Sequence, residues 1–240
     1  MKQLQAKAWA EAFTLIELLI IIAIIAILAA MYLGSGGTHI RSTGTACMNN
    51  QKQIALGLLT WADDNGDDFP PTTNEVIASD DKADNFPWQV SSTNGGTMDL
   101  VANGQAASKF QILSAILRYP GLFVCPADKI KFEATNYVSF GNSNVSYFVN
   151  VDSTKKAASA NMILIGDRHL QVGNNPVKPG LFVYTNGMAM SWTKELHWTS
   201  SAGAVGIMTF ADAHAERVQA SKLTDAFNQQ KIASARLLVP

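Results

Sequence analysis

The sequence predicts an α+β fold: a long N-terminal α-helix, membrane span plus amphipathic half, packed on an antiparallel β-sheet head. Three observations predict it. From Thr14 to Leu33 only Thr14, Glu17 and Tyr32 carry polar side-chain atoms. From His39 to Ala62 apolar residues return at three- and four-residue steps. Further on, short apolar or alternating runs are separated by turn residues, the pattern of strands in an antiparallel sheet.

An α-helix rises about 1.5 Å per residue, so about 20 apolar residues cross a bilayer core of about 30 Å. The first run is long enough. It is apolar on every side, which marks a membrane span and not an amphipathic surface helix. Glu17 is its anomaly, because a carboxylate in a span is costly and normally has a partner or reaches interfacial water. Lys2 and Lys7 precede the run and favour a cytoplasmic N-terminus, with everything after Leu33 outside the inner membrane.

Gly34-Ser35-Gly36-Gly37 follows. Each glycine weakens a helix by about 1 kcal/mol, so this stretch is either the end of the span or a hinge. In the next segment Cys47, Gln51, Ile54, Ala55, Leu58 and Ala62 form a stripe, which Met48, Leu59 and Trp61 widen. That stripe needs a partner, most naturally a sheet. Asp63-Asp64-Asn65-Gly66-Asp67-Asp68-Phe69-Pro70-Pro71 ends the helix: Asn65 and Gly66 tolerate a left-handed cap, and proline forbids continuation.

The head reads more coarsely. Residues 71–103 are polar, rich in turn residues and expected to be loop. Ser108 to Tyr119 predicts a short helix capped by Ser108 and ended by Pro120-Gly121. Asn144 to Val151 alternates as a half-buried strand. Met162 to Ile165 and Leu181 to Tyr184 are short strands. Ala204 to Phe210 and His214 to Val218 predict a hairpin around an Asp-Ala turn, and Leu223 to Gln230 a small helix.

Composition excludes several classes. A net charge of −1 offers no basic field for nucleic acid. Charged residues make up 15% of the chain, which with plentiful Gly, Ser, Thr and Asn suits an extracytoplasmic head. There is no G-x-S-x-G, no phosphate loop and no thiol-zinc spacing, so no enzyme is expected. The four histidines, His39, His169, His197 and His214, lack metal-ligand spacing. Asp212 and His214 are two apart, which admits an acid–base or metal pair but more simply describes a turn aspartate beside a surface histidine. The expected cofactor is none. Calcium is the one ion the carboxylate clusters Asp63-Asp64-Asp67-Asp68 and Asp80-Asp81-Asp84 admit, though neither has EF-hand order. Asn144-Val145-Ser146 matches a glycosylation sequon.

The residues around the start of the span carry a resemblance. A short leader with Lys2, Lys7 and Glu11 is followed by Ala12-Phe13-Thr14-Leu15-Ile16-Glu17. This resembles the prepilin cleavage and methylation motif of type IV pilins and type II secretion pseudopilins. The resemblance implies cleavage by the prepilin peptidase between Ala12 and Phe13, and N-methylation of Phe13. It also implies an assembly role for Glu17, which would meet the N-terminal amine of a neighbouring subunit. A buried charge needs such a counter-charge. The family usually has Gly before the cut; Ala12 stands there here, so slower processing is expected. The implied organisation is a leader at 1–12, a transmembrane and assembly helix at 13–33, a hinge and amphipathic helix at 34–69, and an α+β head at 70–240.

Later pieces narrow the resemblance. Cys47-Met48-Asn49-Asn50-Gln51 through Asp63-Asp64-Asn65-Gly66 is similar to the pseudopilin-like proteins abundant in planctomycetes and verrucomicrobia. Val124-Cys125-Pro126-Ala127-Asp128, Ile165-Gly166-Asp167-Arg168 and Phe210-Ala211-Asp212-Ala213-His214 resemble further segments of that group, with Ala213 replacing its usual Gly. Beyond the span the chain should face an oxidising compartment, where paired thiols persist. A Cys47–Cys125 bridge would close a loop of roughly 80 residues, worth about 4–5 kcal/mol in the chain-entropy model. The alternative is two separately buried thiols.

Two functions follow. The first is a structural subunit of a pilus-like or secretion pseudopilus filament. Its partners would be itself, the prepilin peptidase, the inner-membrane assembly machinery and the membrane. Its location would be the inner membrane, single-pass, then a periplasmic or extracellular filament. The second is a membrane-anchored binding module, for polysaccharide as an example, in which Phe86, Trp88, Trp192 and Trp198 stack on sugars.

Overall fold

The computed structural model describes residues 14–33, 38–64, 69, 104, 106–153, 160–195, 198–200 and 203–240. It divides into two compact units, Met1–His39 and Ile40–Pro240. The Gly34–Gly37 stretch, the expected cap at Asn65-Gly66 and the expected loop at 71–103 lie outside the described residues, apart from the bounds already given.

The first unit contains helix α1 (Leu15–Leu33). Its described side chains are exposed from end to end, as an all-round apolar helix must be when no protein surface covers it. It is long and apolar enough to cross a membrane.

The second unit takes in most of α2 (Thr38–Asp64), then α3 (Ala106–Gln111), which tightens into a 3₁₀ turn at Ile112–Ala115. Strands β1 (Tyr147–Asn150), β2 (Ile163–Asp167), β3 (Leu170–Val172), β4 (Asn175–Pro176) and β5 (Gly180–Thr185) follow. Next come β6 (Met190–Trp192), β7 (Trp198–Ser200), β8 (Gly203–Phe210) and β9 (Ala215–Gln219). Helix α4 (Leu223–Gln229) and strand β10 (Ser234–Val239) close the chain. A seven-stranded antiparallel sheet runs β5-β10-β1-β2-β8-β7, with β9 also on β8; β4-β3-β6 form a second, three-stranded sheet.

The centre of the large sheet is buried on both faces. Tyr147, Val149, Ile165, Ile207 and Leu238 face the α2 stripe of Cys47, Ile54, Leu58 and Trp61. Phe148, Ile163, Met208 and Leu237 face the other way, into a core with Phe227 of α4 and Trp192 of β6. The alternation of strand side chains feeds both cores at once. The expected half-buried strand at Asn144–Val151 is therefore corrected: β1 spans Tyr147–Asn150 and all four residues are buried, because helices cover both faces.

The helix expected at Ser108–Tyr119 is also corrected. It begins at Ala106 and leaves α-geometry after Gln111, with Ser108 buried inside it. The cap arrives from far away: Asn142 Oδ1 accepts the Ala107 N–H at 2.9 Å. The hairpin of β8 and β9 stands where the turn signal placed it. Strand β10, central between β5 and β1, has no counterpart in the sequence reading.

Candidate functional site

Two places concentrate the sequence motifs: the start of α1, and the contact of α2 with the sheet. Each is built differently.

At the start of α1, Thr14 and Glu17 cap the helix reciprocally. The Glu17 N–H donates to Thr14 Oγ1 at 3.3 Å, and Glu17 Oε2 accepts from the Thr14 N–H at 2.9 Å and from its hydroxyl at 2.8 Å. This is a capping box, which satisfies helix-terminal donors that otherwise lack partners. The sequence offers Glu17 interfacial water or the amine of another subunit; the structure adds a partner within its own helix. The Thr-x-x-Glu spacing is the signal that reveals the local one. Ala12 and Phe13 lie outside the described residues.

The second place is a polar latch inside the head. Residues Ile163 and Ile165 pair with Phe210 and Thr209, so Leu164 bulges out of register. A bulge shifts the alternation of the strand by one residue. Ile163 therefore faces α4, whereas Ile165 faces α2, and so does Asp167 two residues on. There Gln51 Nε2 donates to Asp167 Oδ1 at 3.0 Å, and the Ile207 N–H donates to Asp167 Oδ2 at 2.7 Å. The Thr209 hydroxyl donates to Gln51 Oε1 at 3.1 Å. Gln51, Asp167 and Thr209 are all buried. Burial pushes the Asp167 carboxyl up to about 8, against the pull of the Ile207 and Gln51 donors. Gly166 beside it packs flat under Phe148, and a Cβ there would come within 2.6 Å of the ring.

Around the latch, segment 124–128 is tied to α2 and to β2. Cys47 and Cys125 form a disulfide with Cα atoms 5.0 Å apart. Asn50 Nδ2 donates to the Val124 carbonyl at 3.2 Å. Arg168 forks onto Asp128, Nε to Oδ2 at 2.7 Å and Nη2 to Oδ1 at 3.0 Å. Burial opposes the charge on Asp128, but the guanidinium outweighs it and holds the carboxyl at about 2. Three of the segments that resembled family pieces, at 47–51, 124–128 and 165–168, thus converge on one site where α2 meets the end of β2, whereas the fourth, at 210–214, forms the β8–β9 turn away from it. The sequence reading named Cys47 and Cys125 as a pair but assigned no role to Gln51, Asp128, Asp167, Arg168 or Thr209. Only the strand register, set by a bulge, brings those together.

Asp212 and His214 sit apart from the latch at the β8–β9 turn. Asp212 accepts the His214 N–H at 3.0 Å and pairs with its ring, and that ring stacks on Phe210 at 4.3 Å. Partial burial raises the Asp212 carboxyl, but the His214 bonds prevail and lower it. Ala213 between them has φ +64°. These contacts describe a turn, with the aspartate fixing its shape. Asn144 of the sequon is buried and bonded, its Nδ2 to Phe132 O at 2.8 Å, so the folded head withholds it from glycosylation. Trp192 is buried too, with Nε1 donating to Val218 O at 2.8 Å, which removes it as a sugar-stacking surface. Phe86, Trp88 and the side chain of Trp198 lie outside the described residues. Among the described residues no group of three or more His, Cys, Asp or Glu side chains is placed to hold a metal. Asp67, Asp68, Asp80, Asp81 and Asp84 are outside that description.

Neither the curated proteins nor the solved structures contain a match to the chain. One family model does match, the prokaryotic N-terminal methylation motif, over residues 10–33. With an apolar helix on that motif and an antiparallel α+β head behind it, the chain fits a type IV pilin-like or pseudopilin-like protein.

Proposed function

We propose that the protein is a structural subunit of a type IV pilus-like or type II secretion pseudopilus filament. In this reading the prepilin peptidase cuts between Ala12 and Phe13, Phe13 is N-methylated, and α1 anchors the subunit in the inner membrane before packing into the filament. The observation that carries it is the methylation motif at residues 10–33 laid on a helix whose apolar side chains have no cover. Such a surface needs lipid or other apolar helices around it.

Glu17 would serve twice. Within the chain its carboxylate closes the capping box with Thr14. Between chains it would meet the freed amine of a neighbour, a charge pair favoured by the low dielectric of a helix bundle. The head would face outward from the membrane, with its disulfide suited to an oxidising compartment. The test is the mass of the mature N-terminus. Membrane-extracted protein should begin at methylated Phe13, and an intact Met1 would overturn the proposal.

A further inference from the structure

The latch sets a hydroxyl, a carboxamide and a carboxyl in series. The Thr209 hydroxyl donates to Gln51 Oε1 at 3.1 Å, and Gln51 Nε2 donates to Asp167 Oδ1 at 3.0 Å. Gln51 and Thr209 are 0% exposed and Asp167 is 2% exposed, so bulk water does not compete for these groups. The hydrogen bond leaves Thr209 Oγ1 one small side-chain rotation from Gln51 Cδ, whose attack needs an approach to about 3–3.5 Å. Asp167 touches the nitrogen that would leave, within the range of about 2.6–3.2 Å that proton transfer requires. Burial pushes its carboxyl up to about 8, which keeps a proton on it at neutral pH.

A third observation supplies the exit. A cavity of about 10 Å³ lies against Asp167 and is walled also by Ser146, His169 and Glu195. That is the room one water or one ammonia needs. Ser146 is 2% exposed, and among the described residues its hydroxyl has no hydrogen-bond partner. His169 and Glu195 also wall an open cleft of about 210 Å³, so the cavity stands beside a way out to solvent.

We infer that the latch closes covalently, as an ester between Thr209 Oγ1 and Gln51 Cδ, with release of one ammonia. The bond formed is Oγ1–Cδ and the bond broken is Cδ–Nε2. Oγ1 adds to Cδ while its proton passes to Oε1, the atom it already bonds. In the adduct Nε2 is no longer an amide nitrogen, so its lone pair takes the Asp167 proton. Ammonia leaves, the Oε1 proton passes to the Asp167 carboxylate, and the carbonyl reforms. Asp167 ends as it began, nothing is oxidised or reduced, and no co-reactant is needed. The ester stays shielded from hydrolysis at the fully buried pair. It would give α2 a second covalent tie to the head, one helical turn from the Cys47–Cys125 bridge. It goes beyond the proposed function and does not depend on α1.

The test uses the full-length chain extracted in detergent, reduced, denatured and digested with trypsin. Gln51 then lies in the peptide 42–52 and Thr209 in the peptide 195–217. The two should be found joined, with a mass lower by one ammonia than their sum, and hydroxylamine should split them. Thr209→Val, which keeps the shape and removes the nucleophile, should abolish the joined peptide. Asp167→Asn, in protein whose thermal unfolding shows a folded head, should reduce its yield at least tenfold. The deciding measurement is made on the wild type, so it does not rest on any variant folding. Separate, unmodified 42–52 and 195–217 peptides from wild-type protein overturn the inference, as does a joined peptide that persists in Thr209→Val. A wild-type yield in folded Asp167→Asn overturns the role given to Asp167.

Discussion

The start of α1 and the latch beneath α2 both hold a carboxylate against a helix, and they do so by different means. Glu17 is bonded to Thr14, three residues away. Asp167 is bonded to Gln51, 116 residues away, and Gln51 in turn to Thr209, 158 residues away. The first carboxylate is exposed and finds its partner within one helical turn. The second is buried and depends on a disulfide, a bulge and the register of two strands. A local device can be changed without disturbing the head, whereas a long-range one cannot be changed without loosening it.

The sharpest way to break this contrast is Glu17→Ala. We expect filaments to be lost or strongly depleted while the head keeps its thermal unfolding midpoint and the chain stays in the membrane fraction. The capping contribution belongs to α1 alone. Microscopy of sheared material alongside melting of extracted protein reads both. A lowered head midpoint would show that the two regions are coupled.

Next in size is the disulfide. Replacing Cys47 and Cys125 together by Ala should cost the head about 4 kcal/mol, because the bridge closes a 78-residue loop. Membrane insertion should be unaffected. A urea midpoint unchanged from wild type would mean that the latch and core hold segment 124–128 without the bridge.

Gln51→Leu keeps the apolar stripe of α2 and deletes the bridge between Asp167 and Thr209. Two buried groups then lose a partner, at a cost of about 2–4 kcal/mol. Leucine in place of a surface glutamine would cost almost nothing, so the size of the loss measures how buried the latch is in solution.

Two buried titratable groups sharpen the same point through pH. Lys109 on α3 is 1% exposed, and among the described residues its ammonium has no hydrogen-bond partner. Burial first, and the charge of Arg236 second, push it down to about 7. A lysine lowered on folding contributes stability that is present above its unfolded value and lost as pH falls towards the folded one. Wild type should therefore lose stability between about pH 10 and pH 7, by on the order of 1.4 kcal/mol per pH unit. Asp167 works in the opposite sense. Its raised carboxyl contributes stability that is full below the unfolded carboxylate range and is lost as pH rises through about 8. Lys109→Met should flatten the alkaline limb, leaving only the downward slope from Asp167. Parallel curves for the two proteins would show that Lys109 titrates normally.

The same contrast explains what was legible in the sequence. Helix α1, its motif and the α2 stripe depend on residues a few positions apart, and periodicity finds those. The Cys47–Cys125 pair was legible because cysteines are few and chemically distinct. Strand β10 escaped because Leu237, Leu238 and Val239 are all buried, on alternating faces of a central strand, so no polar–apolar alternation marks it. Asp167 escaped because its face of the sheet is decided by the bulge at Leu164, which no residue type announces. The Thr-x-x-Glu spacing at α1 is, by contrast, a local signal, three residues long, of the cap that Thr14 and Glu17 form.

The smallest effect lies at the β8–β9 turn, which belongs to neither region. Ala213 sits at φ +64°, in the left-handed region where a Cβ crowds the following carbonyl. Its N–H still closes the turn on Phe210 O at 2.9 Å, and Asp212 holds the next residue through the His214 N–H. The turn is thus held by its bonds against the preference of alanine. Glycine has no such penalty, which relieves about 1–2 kcal/mol in the folded state. Part of that gain is offset, because glycine gives the unfolded chain more freedom, worth about 0.4–1 kcal/mol. Ala213→Gly should therefore stabilise the head by about 0.5–1 kcal/mol, a rise of roughly 2–4 °C or less in Tm for a domain of this size. Asp212→Ala in the glycine background should then cost less than in wild type, since the turn no longer needs its bonds to hold a strained residue. Equal costs in the two backgrounds, or a fall in Tm on adding glycine, would show that alanine is at ease there and that the turn takes its shape from the strands it joins.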